Sequence, residues 1–126
     1  MLGSASAIAF LPSVDLDRSR RFFADRLGLT VAEVTPFACV LLAGPTMLRV
    51  TKVDGLQPQP FTVFGWQVSD IHATVAELAA AGVTCLRYDG MSQDAAGVWT
   101  TPGGDRVAWF HDPDGNTLSL TQFTNH

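Results

Sequence analysis

The sequence is poor in the residues that hold metal ions and disulfides. It contains only two cysteines and three histidines among 126 residues. Cys39 and Cys85 each lie inside an apolar run, which is typical of small buried side chains rather than of a disulfide or a zinc pair. Neither a CxxC nor an HExxH motif is present. The sequence therefore predicts no metal cofactor, because the usual ligand patterns are missing.

The chain also has little charge, and still less positive charge. Eight Lys and Arg residues stand against twelve Asp and Glu residues, which gives a formal net charge of −4. No basic patch is visible, and this argues against a nucleic-acid partner. No apolar run is long enough to cross a bilayer, and the first residues lack the basic region and long apolar run of a signal peptide. We therefore expect a cytoplasmic protein with no membrane partner.

What the sequence has is apolar material in a repeated pattern. Hydrophobic residues make up 47% of the chain, enough for a packed core. We expect a single domain, 1–126, made of two units at about 4–53 and 61–123. A linker with two prolines and a glycine, 54–60, joins them. One such unit cannot bury its sheet alone, so two must pack together.

Both units follow the order strand, helix and further strands. Asp15 and Asp70 are the predicted helix N-caps, and Gly28 and Gly82 are the predicted stops. Predicted strands lie at 4–11, 30–34, 37–43 and 46–53 in the first unit, and at 61–68, 83–88, 97–100, 107–111 and 117–123 in the second.

The closing hairpin, VAWFHDPDGNTLSLTQF, is the clearest local pattern. Asp112 to Asn116 carries dense turn chemistry, because Pro113 fixes φ and Gly115 tolerates positive φ. We read Asp112 as a turn-building residue rather than as part of an acidic site. The strand after the turn alternates leucines with small polar residues, which predicts a strand between a hydrophobic layer and a cavity.

These segments carry a family resemblance. DLDRSRRFF before LGL, together with VAWFHDPDGNTLSL, resembles the vicinal oxygen chelate superfamily of glyoxalase I, extradiol dioxygenases, fosfomycin-resistance enzymes and bleomycin-binding proteins. The resemblance covers nearly the whole chain. It implies an α+β fold in which two βαβββ repeats form an incomplete eight-stranded barrel around a cavity. It also implies a homodimer, and the aromatic residues Phe61, Trp66 and Trp99 suggest an apolar contact surface.

The resemblance also says where metal ligands lie in members that hold a metal. Those positions fall on Ile8 and Val63 in the first strands of the units, and on Arg49 and Ser119 in the last strands. Aliphatic side chains offer no lone pair, and a guanidinium repels a cation. His72 is expected on a helix surface and His126 is the last residue, so neither is expected to point into a barrel. We therefore expect that the metal site has been lost.

The same reading assigns a small-molecule cavity to the chain. Its predicted lining is apolar and aromatic with one cation and a few polar groups, as small-molecule pockets are. The predicted ligand-binding residues are Ile8, Phe10, Met47, Arg49, Val63, Gln67, Trp109, His111, Ser119 and Thr121.

Several of these residues have a structural alternative. Arg49 either captures an anionic ligand group or pairs with Glu33 on a neighbouring strand. Trp109 is either a stacking platform or ordinary core, and Trp99 is either a cavity wall or a dimer contact. His111 is either a general base or a side chain that bonds the backbone beside the turn.

Two functions follow from different classes. The first is a metal-free binding module for an apolar or aromatic small molecule, neutral or anionic, such as an antibiotic or metabolite. The second is a lyase- or dioxygenase-type enzyme, either metal-independent through His111 or the Glu33–Arg49 pair, or dependent on metal ligands not identified in the sequence. No nucleophile and base can be placed together from the sequence, so we prefer the binding module.

Overall fold

Two compact units make up the chain, Met1–Gln57 and Pro58–His126. The structure is a computed structural model, and it describes residues 1–124. His126, which the sequence analysis kept away from any cavity, lies outside the described residues. Each unit forms its own four-stranded sheet. No helix within residues 1–124 has the length and apolar composition needed to cross a bilayer.

The first unit contains one helical segment and four strands. In chain order they are β1 Ile8–Ser13, α1 Leu16–Arg20, a π-helix Arg21–Arg26, β2 Thr30–Val34, β3 Ala38–Ala43 and β4 Thr46–Lys52. The sheet order is β1-β4-β3-β2. β1 runs parallel to β4, and the other two pairs are antiparallel.

Asp15 starts the helical segment as predicted. Its carboxylate accepts a hydrogen bond from the Arg18 amide at 3.1 Å, which satisfies one free donor of the first turn. The π-helix follows at once, and its adjacent residues Phe22 and Phe23 are both buried. Gly28 ends the segment with φ +82°.

The second unit repeats this order. Its elements are β5 Thr62–Gln67, α2 Ile71–Ala80, β6 Trp99–Thr100, β7 Arg106–His111 and β8 Thr117–Gln122. The sheet order is β5-β8-β7-β6, and β5 runs parallel to β8. The α+β class and the βαβββ order of each unit are therefore confirmed.

The helix α2 covers one face of the second sheet. Asp70 accepts from the Ala73 amide at 3.1 Å, as the predicted N-cap, and its helix buries Ile71, Val75 and Leu78. The Oε1 atom of Gln122 accepts from the Ile71 amide at 2.8 Å and so ties the helix to β8.

Two predicted strands are wrong. β1 begins at Ile8 rather than at residue 4, because Leu2–Ser4 forms a 3-10 turn. Residues 83–88 form no strand. Only the Leu86 amide reaches β7, where it donates to the Trp109 carbonyl at 2.7 Å. The next two backbone groups of this segment bind the side-chain amide of Gln93 instead of a strand. This amide donates to the Leu86 carbonyl and accepts from the Tyr88 amide.

The turn between β7 and β8 is built as predicted. The Asp112 carboxylate accepts hydrogen bonds from the amides of Asp114 and Asn116, and from the Asn116 side chain, at 2.8–3.0 Å. Burial raises the pKa of Asp112, and the hydrogen bonds from Asn116 act against it. Because its oxygens are engaged in closing the turn, Asp112 is a structural residue.

Candidate functional site

Each sheet has one face under its helix and one face turned away from it, which we call the open face. In the first unit, Leu11, Leu48 and Val50 are buried on the helix face. Side chains alternate along a strand, so their neighbours in sequence lie on the open face. There Ile8 pairs with Met47, and Phe10 pairs with Arg49. These four predicted ligand-binding residues are thus brought together on one face, with Ile8 47% and Phe10 60% exposed.

The structure corrects the predicted partner of Arg49. Glu33 lies on β2 and Arg49 on β4, and Val40 of β3 is the register partner of both. A whole strand therefore separates the two charged residues, so Glu33 is not on a neighbouring strand. Within residues 1–124 the Arg49 guanidinium makes no hydrogen bond or ion pair to another side chain or carbonyl.

The open face of the second unit carries most of the other predicted residues. One row runs from Gly65 through Ser119 to Trp109, and the next from Gln67 through Thr121 to Val107 and Trp99. The opposite face buries Ala108, Phe110, Leu118 and Leu120. Alternation along the strands was therefore sufficient to assign these faces correctly.

Gly65 and Ser119 approach each other closely. A Cβ atom built on Gly65 would lie 2.8 Å from both the carbonyl oxygen and the Oγ atom of Ser119. Real Cβ contacts are not this short, so glycine is required while Ser119 keeps this position. Ser119 is only 7% exposed, and within residues 1–124 its hydroxyl has no hydrogen-bond partner.

Three rings meet beside this row, and we call Tyr88, Trp99 and Trp109 the aromatic cluster. The Trp109 ring lies 5.4 Å from Tyr88 in an edge-to-face contact and 6.2 Å from Trp99 with a tilt of 30°. All three are half-buried. Trp66 is different, because it stacks on the buried Phe110 at 6.0 Å on the helix face.

His111 and Val63 lie at the edge of this group. His111 is exposed and pairs with Thr117, and within the described residues its ring makes no hydrogen bond. The backbone-bonding alternative for this side chain is therefore wrong. Val63 falls at a register shift of β5, so Gly65 rather than Val63 is the strand partner of Ser119.

The residues at the family's metal positions do not fit a divalent metal ion. Ile8 and Val63 have no donor atom, Ser119 offers a neutral hydroxyl, and Arg49 is a permanent cation. Among residues 1–124 no three His, Cys, Asp or Glu side chains group together in a way that would hold a metal.

The sequence analysis missed a groove in the second unit, which we call the α2 groove. It has a volume of about 420 Å³ between α2, residues 83–87 and the loop at Ala95 and Ala96. Cys85 lines it and is partly exposed, so this cysteine is not the fully buried residue that was predicted. Burial still raises the pKa of its thiol. One signal was available, because His72, Val75, Ala76 and Ala79 share one face of a helix.

His72 lies on the exposed surface of α2, as predicted. Its Nε2 atom is 2.8 Å from the Asp94 carboxylate in the loop that follows. This hydrogen bond holds the pKa of Asp94 below its usual value. The pair therefore fastens the loop to the helix.

A family model described as Glyoxalase/Bleomycin resistance protein/Dioxygenase superfamily matches residues 6–120. No curated protein matches the chain.

Solved structures with the same fold share little sequence with the chain. A superfamily member from Sphaerobacter thermophilus is 21% identical, with a TM-score of 0.73, over 98% of this chain and 100% of its own. A lactoylglutathione lyase from Agrobacterium tumefaciens is 18% identical, with a TM-score of 0.73, over 94% and 93%. A glyoxalase/bleomycin resistance protein/dioxygenase from Alicyclobacillus acidocaldarius is 16% identical, with a TM-score of 0.71, over 97% and 93%. At these identities the likeness shows the fold alone.

Proposed function

The chain belongs to the Glyoxalase/Bleomycin resistance protein/Dioxygenase superfamily, and we propose that it is a metal-free binding protein for an aromatic small molecule. The site is the open face of the second sheet. The observation that carries the proposal is the aromatic cluster, in which Tyr88 and Trp99 both contact the Trp109 ring.

The cluster suits a flat ligand. Aromatic rings prefer offset-stacked or edge-to-face contacts at centroid distances of about 4.5–7 Å, and each such pair contributes about 0.5–1.5 kcal/mol beyond burial. Trp99 and Trp109 keep part of their surface exposed. A ligand ring that covers this surface gains both contacts and burial.

Polar side chains beside the cluster can orient a bound ligand. Ser119 lies in the same row as Trp109, and Gln67 and Thr121 lie in the next row. Within residues 1–124 the side chains of these three polar residues have no hydrogen-bond partner. They therefore keep donors and acceptors for the polar edge of a ligand.

The open face of the first unit supports binding of an anionic ligand group. Arg49 lies there among Ile8, Phe10 and Met47. Its guanidinium makes no hydrogen bond or ion pair with any residue in 1–124. A guanidinium in apolar surroundings is a strong partner for a carboxylate or phosphate. Taken by itself, this face fits an apolar metabolite or antibiotic that carries a carboxylate or a phosphate.

We prefer binding to catalysis for a geometric reason. The acid–base pair required by the metal-independent enzyme hypothesis is not formed, because Val40 lies between Glu33 and Arg49. His111 is exposed at the end of its strand, and the side chain facing it from β8 is Thr117. No base and nucleophile are therefore assembled at this position.

A thermal-shift screen of aromatic metabolites and antibiotics tests the proposal. A ligand that prefers the folded state raises the melting temperature. We expect hits whose binding quenches tryptophan fluorescence and is lost in Trp99→Leu and Trp109→Leu. Trp66→Phe is the matched control, because Trp66 lies on the helix face. Hits that survive both cluster substitutions, or a screen with none, would contradict the proposal.

We also propose that the protein is a cytoplasmic homodimer. Phe61 is 59% exposed, and several large apolar side chains of the first unit are exposed as well. A second copy of the chain would remove this surface from water. We expect light scattering at micromolar concentration to give twice the chain mass, and a mass of one chain would refute the dimer.

A further inference from the structure

The α2 groove has its own set of binding features. It lies within the second unit, and none of its lining residues belongs to the aromatic cluster. Its volume of about 420 Å³ falls in the range of small-molecule pockets, about 300–1,000 Å³. We propose that this groove binds a free short peptide in extended conformation, with small apolar side chains against α2 and a terminal carboxylate at Arg87.

The backbone at Cys85 and Arg87 favours an extended peptide. Leu86 turns its amide to β7 and its carbonyl to Gln93. Backbone groups of an extended chain alternate in direction, so those of Cys85 and Arg87 point to the other side. Within residues 1–124 the amides and carbonyls of these two residues form no hydrogen bond. They offer the alternating donors and acceptors that pair with an added strand.

The opposite wall favours small apolar side chains. His72, Val75, Ala76 and Ala79 follow the spacing i, i+3, i+4 and i+7, so they form one stripe along α2. The two alanines have the smallest side chains of this stripe, so the groove favours a peptide whose own side chains are small.

The charge of the groove favours a carboxylate. Residues 58–126 contain only two arginines and seven acidic residues, yet no acidic side chain lines the groove within the described part of the chain. The Arg87 guanidinium donates to the carbonyls of Asp94 at 2.8 Å, Gln93 at 3.3 Å and Ala95 at 3.4 Å. Those bonds use three of its five N–H groups, so Nε and one Nη1 hydrogen remain for a ligand.

The groove is held in shape without a ligand. Asp94 Oδ1 accepts from the amides of Ala96 and Val98, and Oδ2 faces His72 on α2. The loop is thus fixed to the helix on one side and to Arg87 on the other. A preformed site loses less conformational entropy on binding than a mobile one.

Amide NMR titration of the full chain with N-acetyl-alanyl-valine tests the proposal. We expect saturable shifts of the Cys85 and Arg87 amide signals. Ala79→Phe fills the groove and should weaken binding by about tenfold or more. Ala80→Phe is the matched control, because Ala80 is the next exposed alanine of α2 and lies outside the groove. We expect its affinity to stay within about twofold of the unsubstituted chain.

The amidated form of the same dipeptide tests the charge. It should bind about tenfold more weakly or worse, because a hydrogen bond to a charged group is lost. Ala76→Leu replaces Ala79→Phe if that variant does not fold. The proposal is overturned if millimolar dipeptide leaves Cys85 and Arg87 unshifted, if the two phenylalanine variants bind alike, or if amidation has no effect. The aromatic-ligand proposal survives any of these results, since its residues are not involved.

Discussion

At the scale of single residues, the open face of each unit carries a side chain whose polar group has no hydrogen-bond partner within residues 1–124. Ser119 is nearly buried and lies against Gly65, and Arg49 stands on a face of apolar neighbours. Arg49 and Ser119 correspond in the internal repeat, since each is paired with a residue of the first strand of its own unit: Phe10 in one unit and Gly65 in the other. The same position therefore carries a cation in one unit and a small hydroxyl in the other.

Arg49→Met should weaken an anionic ligand and spare a neutral one. The loss is about 1.5–3 kcal/mol, the usual contribution of a hydrogen bond to a charged group. Fluorescence titration with anilinonaphthalene sulfonate and with the neutral phenylnaphthylamine measures both cases. Lys52→Met is the control, because Lys52 is on the same strand but pairs with Ser13 on the helix face. If Arg49→Met lowers the affinity for both probes equally, Arg49 does not have the assigned role.

Asp94 makes the stability of the folded state depend on pH in the acid range. Its pKa is lowered chiefly by the hydrogen bond from His72, and the amides of Val98 and Ala96 act in the same direction. A lowered folded pKa means that this contribution is present above the unfolded pKa and is lost as pH falls through the folded value.

We expect Asp94→Asn to lose less stability than the unsubstituted chain as pH falls below about 4. The difference should stay below about 1 kcal/mol, because both side chains are roughly half exposed and water screens the pair. Melting temperature against pH measures it. Asp89→Asn is the control, because Asp89 is an exposed carboxylate of the same loop. We expect its melting temperature to decrease at low pH as that of the unsubstituted chain does. The same decrease in Asp94→Asn would contradict the assignment.

At the scale of elements, local signals predicted the helices better than the strands. Asp15 and Asp70 were recognised as caps because a cap needs only the amides three residues ahead. The π-helix was missed, because burial of both Phe22 and Phe23 depends on the sheet beneath them rather than on a helical period. Residues 83–88 have the pattern of a strand, but the Gln93 side chain takes the place of a neighbouring backbone.

Gly65→Ala tests the close pairing of β5 with β8. The added Cβ would lie 2.8 Å from backbone and side-chain atoms of Ser119, so the two strands must separate. We expect a loss of about 1–3 kcal/mol in the free energy of unfolding, as for other overpacked sites. Gly55→Ala is the control, because open space surrounds that position. Denaturant titration compares them, and equal stabilities would show that the approach is not close.

At the scale of the whole molecule, the repeat and the family resemblance were sufficient for the fold class. The faces of the strands followed from alternation, which is local. Alternation could not predict which strands lie beside Arg49, because strand order is set by contacts distant in sequence. In the structure β4 lies between β1 and β3. The α2 groove was missed for the same reason, since its walls come from a helix and a loop that only the fold brings together.

A fluorescence titration distinguishes aromatic binding without a metal ion from metal-dependent binding. Phenylnaphthylamine is titrated into untagged protein before and after dialysis against a chelator, with tryptophan fluorescence as the readout. We predict saturable quenching with the same affinity in both samples and its loss in Trp109→Leu. Binding that disappears with the chelator, returns with stoichiometric zinc, nickel or iron and is abolished by His111→Ala would contradict the account and assign the protein to the metal-dependent enzymes.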